Sequence, residues 1–136
     1  MRYSFGLVFA VLCLFASFVS ASSPCIPSYK GSAICDNVTV GRCGDINVSG
    51  IYNLSFSIAS TGNCLTIYAD DVTLDCLNKN ITGANTGTGI YTTHSNTVIR
   101  NCNISSFNYG IDIENSDNNT VTNNKFRSDG YGLEKE

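Results

Sequence analysis

Along residues 63–136 apolar side chains recur at every second position in short runs, and Asn, Asp, Ser and Gly fill the gaps. In residues 110–128 the runs are Gly-Ile-Asp-Ile, Thr-Val-Thr and Lys-Phe-Arg. Alternation of this kind predicts strands with one buried face. No stretch sustains apolar i, i+3, i+4 spacing, which argues against helical repeats.

The runs also repeat as a group. Residues 64–83, 89–107 and 110–128 are three copies of one unit, and a fourth opens at Gly132-Leu133. Gly89-Ile90 returns as Gly110-Ile111 after 21 residues and as Gly132-Leu133 after a further 22. Ile99 returns as Val121 and Ile104 as Phe126, both after 22, while Ile81 precedes Ile104 by 23 and Leu65 precedes Ile90 by 25. A period in this range signals a solenoid, a propeller or an array. Propeller blades need about twice this length. One turn of a parallel β-helix fits: three short strands joined by tight corners, with coils stacked about 4.8 Å apart. The fold class is therefore all-β, a three-sheet parallel solenoid with coils of 21 to 25 residues. Ile90, Ile111 and Leu133 are expected in one interior column, Ile99 and Val121 in a second, and Ile81, Ile104 and Phe126 in a third.

Composition sharpens the corners. The chain holds 16 Asn, a residue that tolerates left-handed backbone and bonds its own main chain. Stacked Asn side chains can also bond one another, and Asn101 and Asn123 are the expected ladder pair.

The N-terminus reads differently. Met1-Arg2, an apolar run over residues 5–19 and the ending Val19-Ser20-Ala21 predict a secretory signal peptide over residues 1–21. The run is short for a membrane span of about 20 residues, and no later segment replaces it. Residues 22–62 are expected to form an N-terminal cap, and residues 63–136 the repeats. A net charge of −3, more negative once Arg2 leaves, excludes a basic nucleic-acid face.

Cys13 leaves with the signal peptide. Cys25, Cys35, Cys43, Cys64, Cys76 and Cys102 remain, an even number that suits disulfides in an exported chain, although six cysteines allow 15 pairings. Sequential pairs are expected: Cys25–Cys35, Cys43–Cys64 and Cys76–Cys102. The Cys43–Cys64 link would contribute about 3 kcal/mol by restricting the unfolded chain. No C-x-x-C occurs, which argues against zinc. Acceptor motifs for N-glycosylation stand at Asn37, Asn47, Asn53, Asn80, Asn103 and Asn118, with Asn47 and Asn53 outside the tightest coils. The tail Glu134-Lys135-Glu136 does not complete the coil begun at Gly132. The C-terminal end is thus expected to be incomplete, as in part of a longer β-helix or one with a partner over its end.

The segments C-G-D-I-N-V-S-G-I-Y-N-L, C-L-T-I-Y-A-D-D-V-T-L-D-C and V-I-R-N-C-N-I resemble secreted right-handed parallel β-helix repeat proteins of archaea and bacteria. Those are grouped with pectate-lyase-like folds and with β-helix proteins linked to copper-site maturation in nitrous-oxide reductase. The resemblance covers residues 43–132 and implies a right-handed coil in an extracellular or cell-surface place. It specifies fold far more than function.

Enzymes of that superfamily use clustered Asp for calcium with an Arg base, or several Asp with His and Arg. The pieces here are Asp70, Asp71, Asp75, His94, Arg100, Asp112 and Glu114. Asp70-Asp71 reads as a turn before Val72. Asp75 and Arg100 read as a surface ion pair on adjacent coils, worth about 0.2–1 kcal/mol. His94, the one histidine, reads as a corner residue and cannot build a copper site alone. Asp112 and Glu134 stack as like charges. They read as a solvated acidic stripe, with a calcium site completed by Glu114 as the sharper alternative. Tyr68, Tyr91, Tyr109 and Tyr131 are outward candidates for contact with glycans, or for simple corner packing. The expectation is a secreted or cell-surface module with a structural or adhesive role and no cofactor, facing extracellular glycans or other surface proteins. A polysaccharide-binding or polysaccharide-cleaving domain is the alternative.

Overall fold

The computed structural model describes the backbone of residues 25–27 and 33–136 and the side chains of residues 38–136. The expected signal peptide over residues 1–21, the side chains of Cys25 and Cys35, and that of Asn37 lie outside the described residues.

Among the described residues every element is a strand. β1 (Cys25–Pro27), β2 (Ala33–Val40) and β3 (Gly44–Ile46) come first. Then the chain circulates through the same three sheets: β4 (Gly50–Leu54), β5 (Ile58–Ala59) and β6 (Leu65–Ile67); β7 (Val72–Asp75), β8 (Asn80–Thr82) and β9 (Thr88–Thr92). Two more circuits follow: β10 (Val98–Arg100), β11 (Asn103–Ser105) and β12 (Tyr109–Ile113); β13 (Thr120–Thr122), β14 (Lys125–Arg127) and β15 (Tyr131–Lys135). The sheets run β1-β2-β4-β7-β10-β13, β5-β8-β11-β14 and β3-β6-β9-β12-β15. All neighbours are parallel except β1 and β2, which are antiparallel with Cys25 opposite Cys35. The result is a β-solenoid of about 4 turns, right-handed as parallel crossovers of L-residues are.

The coils begin earlier than the Gly-Ile repeat shows. β4 pairs parallel with β7, and β2 with β4, so residues 33–62 already stack as solenoid. Only the antiparallel β1 differs in direction and covers an edge. The offset could not reveal this, because the first circuit lacks the Gly-Ile opening and its β5 is two residues long.

Register carries the core. Leu65, Ile90, Ile111 and Leu133 form one column. Val38, Tyr52, Leu74, Ile99 and Val121 form another, and Ile58, Ile81, Ile104 and Phe126 the third. Leu74, Ile81, Ile90, Ile99 and Ile111 are all at 0 % exposure, and each such side chain withdrawn from water stabilises by about 1.5–3 kcal/mol. On the last described coil Phe126 and Leu133 are exposed.

Corners take left-handed backbone at Asp71, Asn85, Asn96, Asn101, Asn115, Asn118 and Asn123. The expected Asn101–Asn123 side-chain ladder is not what forms. Asn101 Nδ2 donates instead to Asp75 Oδ1 at 2.9 Å. Corner side chains cross between coils by accepting from main chain: Asn63 Oδ1 from Thr88 N–H, Asn119 Oδ1 from Thr97 N–H, Asn124 Oδ1 from Cys102 N–H and Asp129 Oδ1 from Phe107 N–H. The corners leave N–H groups that no strand accepts, and satisfying those buried donors is worth more than an amide-to-amide contact. Disulfides join Cys43 to Cys64 and Cys76 to Cys102 across adjacent coils, with Cα–Cα distances of 4.5 and 4.7 Å.

Gly89, Gly110 and Gly132 repeat because coils touch there. A Cβ on Gly110 would lie 2.6 Å from Gly132 O and 2.6 Å from Phe126 Cδ1. Gly110→Ala should therefore cost about 1–3 kcal/mol, read as a lower urea midpoint. Gly132→Ala, whose nearest contact would be 3.1 Å, should cost less.

Candidate functional site

The outward face of the sheet holding β9, β12 and β15 gathers charge and aromatic rings. Asp112 pairs in register with Tyr91 on one side and Glu134 on the other. Side chains two apart on a strand share a face, so Glu114 lies beside Asp112 and Glu136 beside Glu134. Strands stand about 4.8 Å apart, and the result is a two-by-two block of carboxylates on adjacent coils. Tyr91 Oη donates to Glu114 Oε2 at 3.0 Å, and Tyr68, 53 % exposed, stands at the near edge.

Asp112 is the unusual member. It is only 9 % exposed, and its Oδ1 has no hydrogen-bond partner. Burial first, then the charges of Glu114, Glu134 and Glu136, push its pKa above the ordinary carboxylate range. Hydrogen bonding to Glu114, with burial and the nearby acids, likewise raises the Tyr91 phenol. The carboxylates share a face without converging: among the described residues no group of three or more His, Cys, Asp or Glu side chains could hold a metal ion.

The other sequence candidates are spread around the coil. Tyr109 and Tyr131 stack at the corner before the glycines, with centroids 5.2 Å apart and planes 13° from parallel. Tyr91 is opposite Thr66 rather than Tyr68, so those two are neighbours and not a stacked pair. Asp75 and Arg100 do pair, Nε to Oδ2 at 2.8 Å. Asp75, however, is buried rather than at the surface, and it also accepts from Leu77 N–H and Asn101 Nδ2. Burial alone would raise its pKa; the bonds from Asn101, Leu77 and Arg100 together hold it below the ordinary range. Asp70 Oδ1 accepts from Ser95 N–H, and Asp71 occupies a left-handed turn. His94 lies in its corner with Nδ1 3.5 Å from Thr93 Oγ1. Of the described acceptor motifs, Asn47, Asn80 and Asn118 are exposed and Asn53 and Asn103 half-buried, with Asn103 Nδ2 bonded to Asn78 O.

Two features escaped the sequence reading. Glu136 follows Glu114 by the same 22 residues that separate Glu134 from Asp112, a signal present but unused. A groove of about 550 Å3 lined by Asn80, Asn103, Ser105, Lys125 and Arg127 also opens on the β8-β11-β14 sheet.

The two buried acids act oppositely on stability. A raised folded pKa means that Asp112 contributes stability below the ordinary carboxylate range, lost as pH rises through its folded value. The lowered pKa of Asp75 means stability present above that range and lost as pH falls through its folded value. Asp112→Asn should therefore raise the melting temperature at neutral pH, and thermal melts across an acid series should show that gain vanish toward low pH.

Two disulfides among the described residues mark an oxidising compartment, and no helix of the described residues is long and apolar enough to cross a membrane. Comparison with known proteins found no match to a curated protein or to a solved structure. A family model described as "Periplasmic copper-binding protein (NosD)" matches residues 29–135. That span takes in every strand from β2 to β15, so the chain belongs to the NosD family.

Proposed function

We propose that this chain is an exported, disulfide-stapled scaffold with an adhesive role, meeting glycans or other surface proteins through its outward sheet faces and carrying no catalytic site. The observation that carries the reading is how the potential catalytic groups are employed. Asp75 and Arg100 hold each other across two coils, Asp70 satisfies a main-chain N–H of the next coil, and Glu114 accepts from Tyr91. These groups serve the stacking of coils. Export by the signal peptide of residues 1–21 and glycans at the exposed acceptors Asn47, Asn80 and Asn118 belong to the same proposal. A second reading, a polysaccharide-binding domain, is favoured by the rings that remain accessible: Tyr68 and Tyr131 are 53 % and 58 % exposed, and Tyr91 lies half-buried on the same outward face as Tyr68. The two readings join if adhesion is to sugar.

Copper enters through the family's description. Among the described residues the donors do not fit it. Cys43, Cys64, Cys76 and Cys102 are consumed as disulfides, the chain has one histidine and its one methionine is Met1, and the described acids form no ligand group. Copper sites draw on thiolate, thioether and imidazole, so no step is assigned to the metal in this chain.

Two outcomes are expected. Equimolar Cu(II), or Cu(I) under reductant-free anaerobic conditions, should leave the melting temperature of the disulfide-bonded protein unchanged. Co-sedimentation with insoluble polysaccharides should show retention without new reducing ends, and Tyr91→Ala should weaken retention by about 10-fold, the scale of a lost ring contact. Turnover abolished by Asp71→Ala or Arg100→Ala would overturn the non-catalytic reading.

A further inference from the structure

The carboxylate block on the β9-β12-β15 sheet has the features of an incomplete contact. Asp112 and Glu114 stand on one coil and Glu134 and Glu136 on the next, in register. Four like charges at such spacing repel, and among the described residues no ion pair includes them: the one found is Asp75 with Arg100, on a different sheet. Asp112 adds a second and independent observation. Its side chain is nine-tenths buried on the outward face of the sheet between Tyr91 and Glu134, and Oδ1 has no donor. A buried acceptor left without a donor costs about 1–3 kcal/mol, a cost that a ligand supplying an N–H would remove.

The surroundings narrow the ligand. A hard divalent cation asks for converging oxygens, and the described acids do not converge as a metal set. Phenol rings adjoin the block instead: Tyr91 directly beneath Asp112 and tied to Glu114, and Tyr68 close enough to perturb Tyr91. Rings beside carboxylates suit an organic ammonium, which gains from charge-assisted hydrogen bonds and from the ring faces together. The flat spread of four acids over two coils suits several such groups in a row.

The geometry points to a binding site for glycans bearing free amino groups, with Asp112, Glu114, Glu134 and Glu136 receiving the ammonium groups and Tyr68 and Tyr91 the sugar faces. This rests on the adhesive reading above and names its ligand class. Asp112 and Glu114 take the inner position against Tyr91, and Glu134 and Glu136 widen the site to a second residue of the glycan.

The test is titration calorimetry of the disulfide-bonded protein with a glucosamine tetramer, its fully N-acetylated counterpart and a lysine tetrapeptide, each with and without added calcium. The expected result is binding of the glucosamine tetramer that weakens on N-acetylation, weakens with added salt, and falls about 10-fold in Asp112→Asn and in Glu134→Gln. Asp112→Asn keeps the shape and removes repulsion, and Glu134→Gln lies at the exposed last coil, so both variants can be checked as folded by their melts. Equal binding of the N-acetylated tetramer would overturn the ammonium assignment and leave the adhesive reading standing. Equal binding of the lysine tetrapeptide would overturn the glycan class. Displacement of the tetramer by micromolar calcium would assign the block to a metal. Absence of binding by either tetramer would overturn the inference, and only polysaccharide retention lost as well would take the adhesive reading with it.

Discussion

Each coil hangs from its neighbour by parallel N–H to C=O bonds, and that ladder holds successive strands about 4.8 Å apart. Everything else follows from the closeness. A residue must tolerate its own equivalent above and below, on whichever face it lies. Inside, the tolerant choice is a branched aliphatic, and Ile58, Ile81 and Ile104 meet that condition in one column while Leu65, Ile90 and Ile111 meet it in another. At Gly89 and Gly110, the second residues of β9 and β12, a main-chain oxygen of the next coil lies where a Cβ would stand, and at Gly132 the Phe126 side chain lies close. The repeat in the sequence is the imprint of this stacking.

The corners are where the ladder fails. Strand pairing stops, backbone turns left-handed, and buried N–H groups lose their acceptors. Consecutive corner residues divide the two problems: Asn118, Asn123 and Ser128 take the positive φ, and the residue after each carries an oxygen that accepts from main chain in the adjacent coil. Those residues are Asn119, Asn124 and Asp129, and Asn63 accepts from Thr88 N–H in the same manner. These corner main-chain N–H groups therefore find acceptors in side chains. The two disulfides act at the same places, Cys43–Cys64 and Cys76–Cys102 each fastening one corner to the next.

On the outer faces the ladder makes no demand of size, and chemistry can accumulate. Opposite charges in register cancel, as Asp75 and Arg100 do. Like charges in register remain in tension, as Asp112 and Glu134 do. A protein that retains the second arrangement on a rigid face presents a strong local field with little freedom to relax it. Beside it, Tyr91 is held by its bond to Glu114, so part of the face is fixed in place by its own contacts. The chain belongs to a family described as copper-binding, while among the described residues all four cysteines are bound in disulfides and the one imidazole is His94.

Periodicity is a local property, so it was legible before any coordinates. The offsets of Gly89, Gly110 and Gly132, and of Ile99 and Val121, already specify three strands per coil, their register and the interior columns. The stacked pair Tyr109–Tyr131 and the contact of Asp75 with Arg100 follow from the same arithmetic. Burial and side-chain direction are not local, and there the sequence stopped. It could not tell that Asp75 turns under its partner into the protein, that Asn101 reaches Asp75 rather than Asn123, or that residues 33–62 stack as coils without the repeat's opening glycine. It placed Asp112 beside Glu134, yet only the packed coils decide that one oxygen of Asp112 is buried without a donor. Spacing along the chain sets which residues meet, because a stacked strand has one register; which of their atoms remain unsatisfied is set by the packing of neighbouring coils, which no single repeat contains.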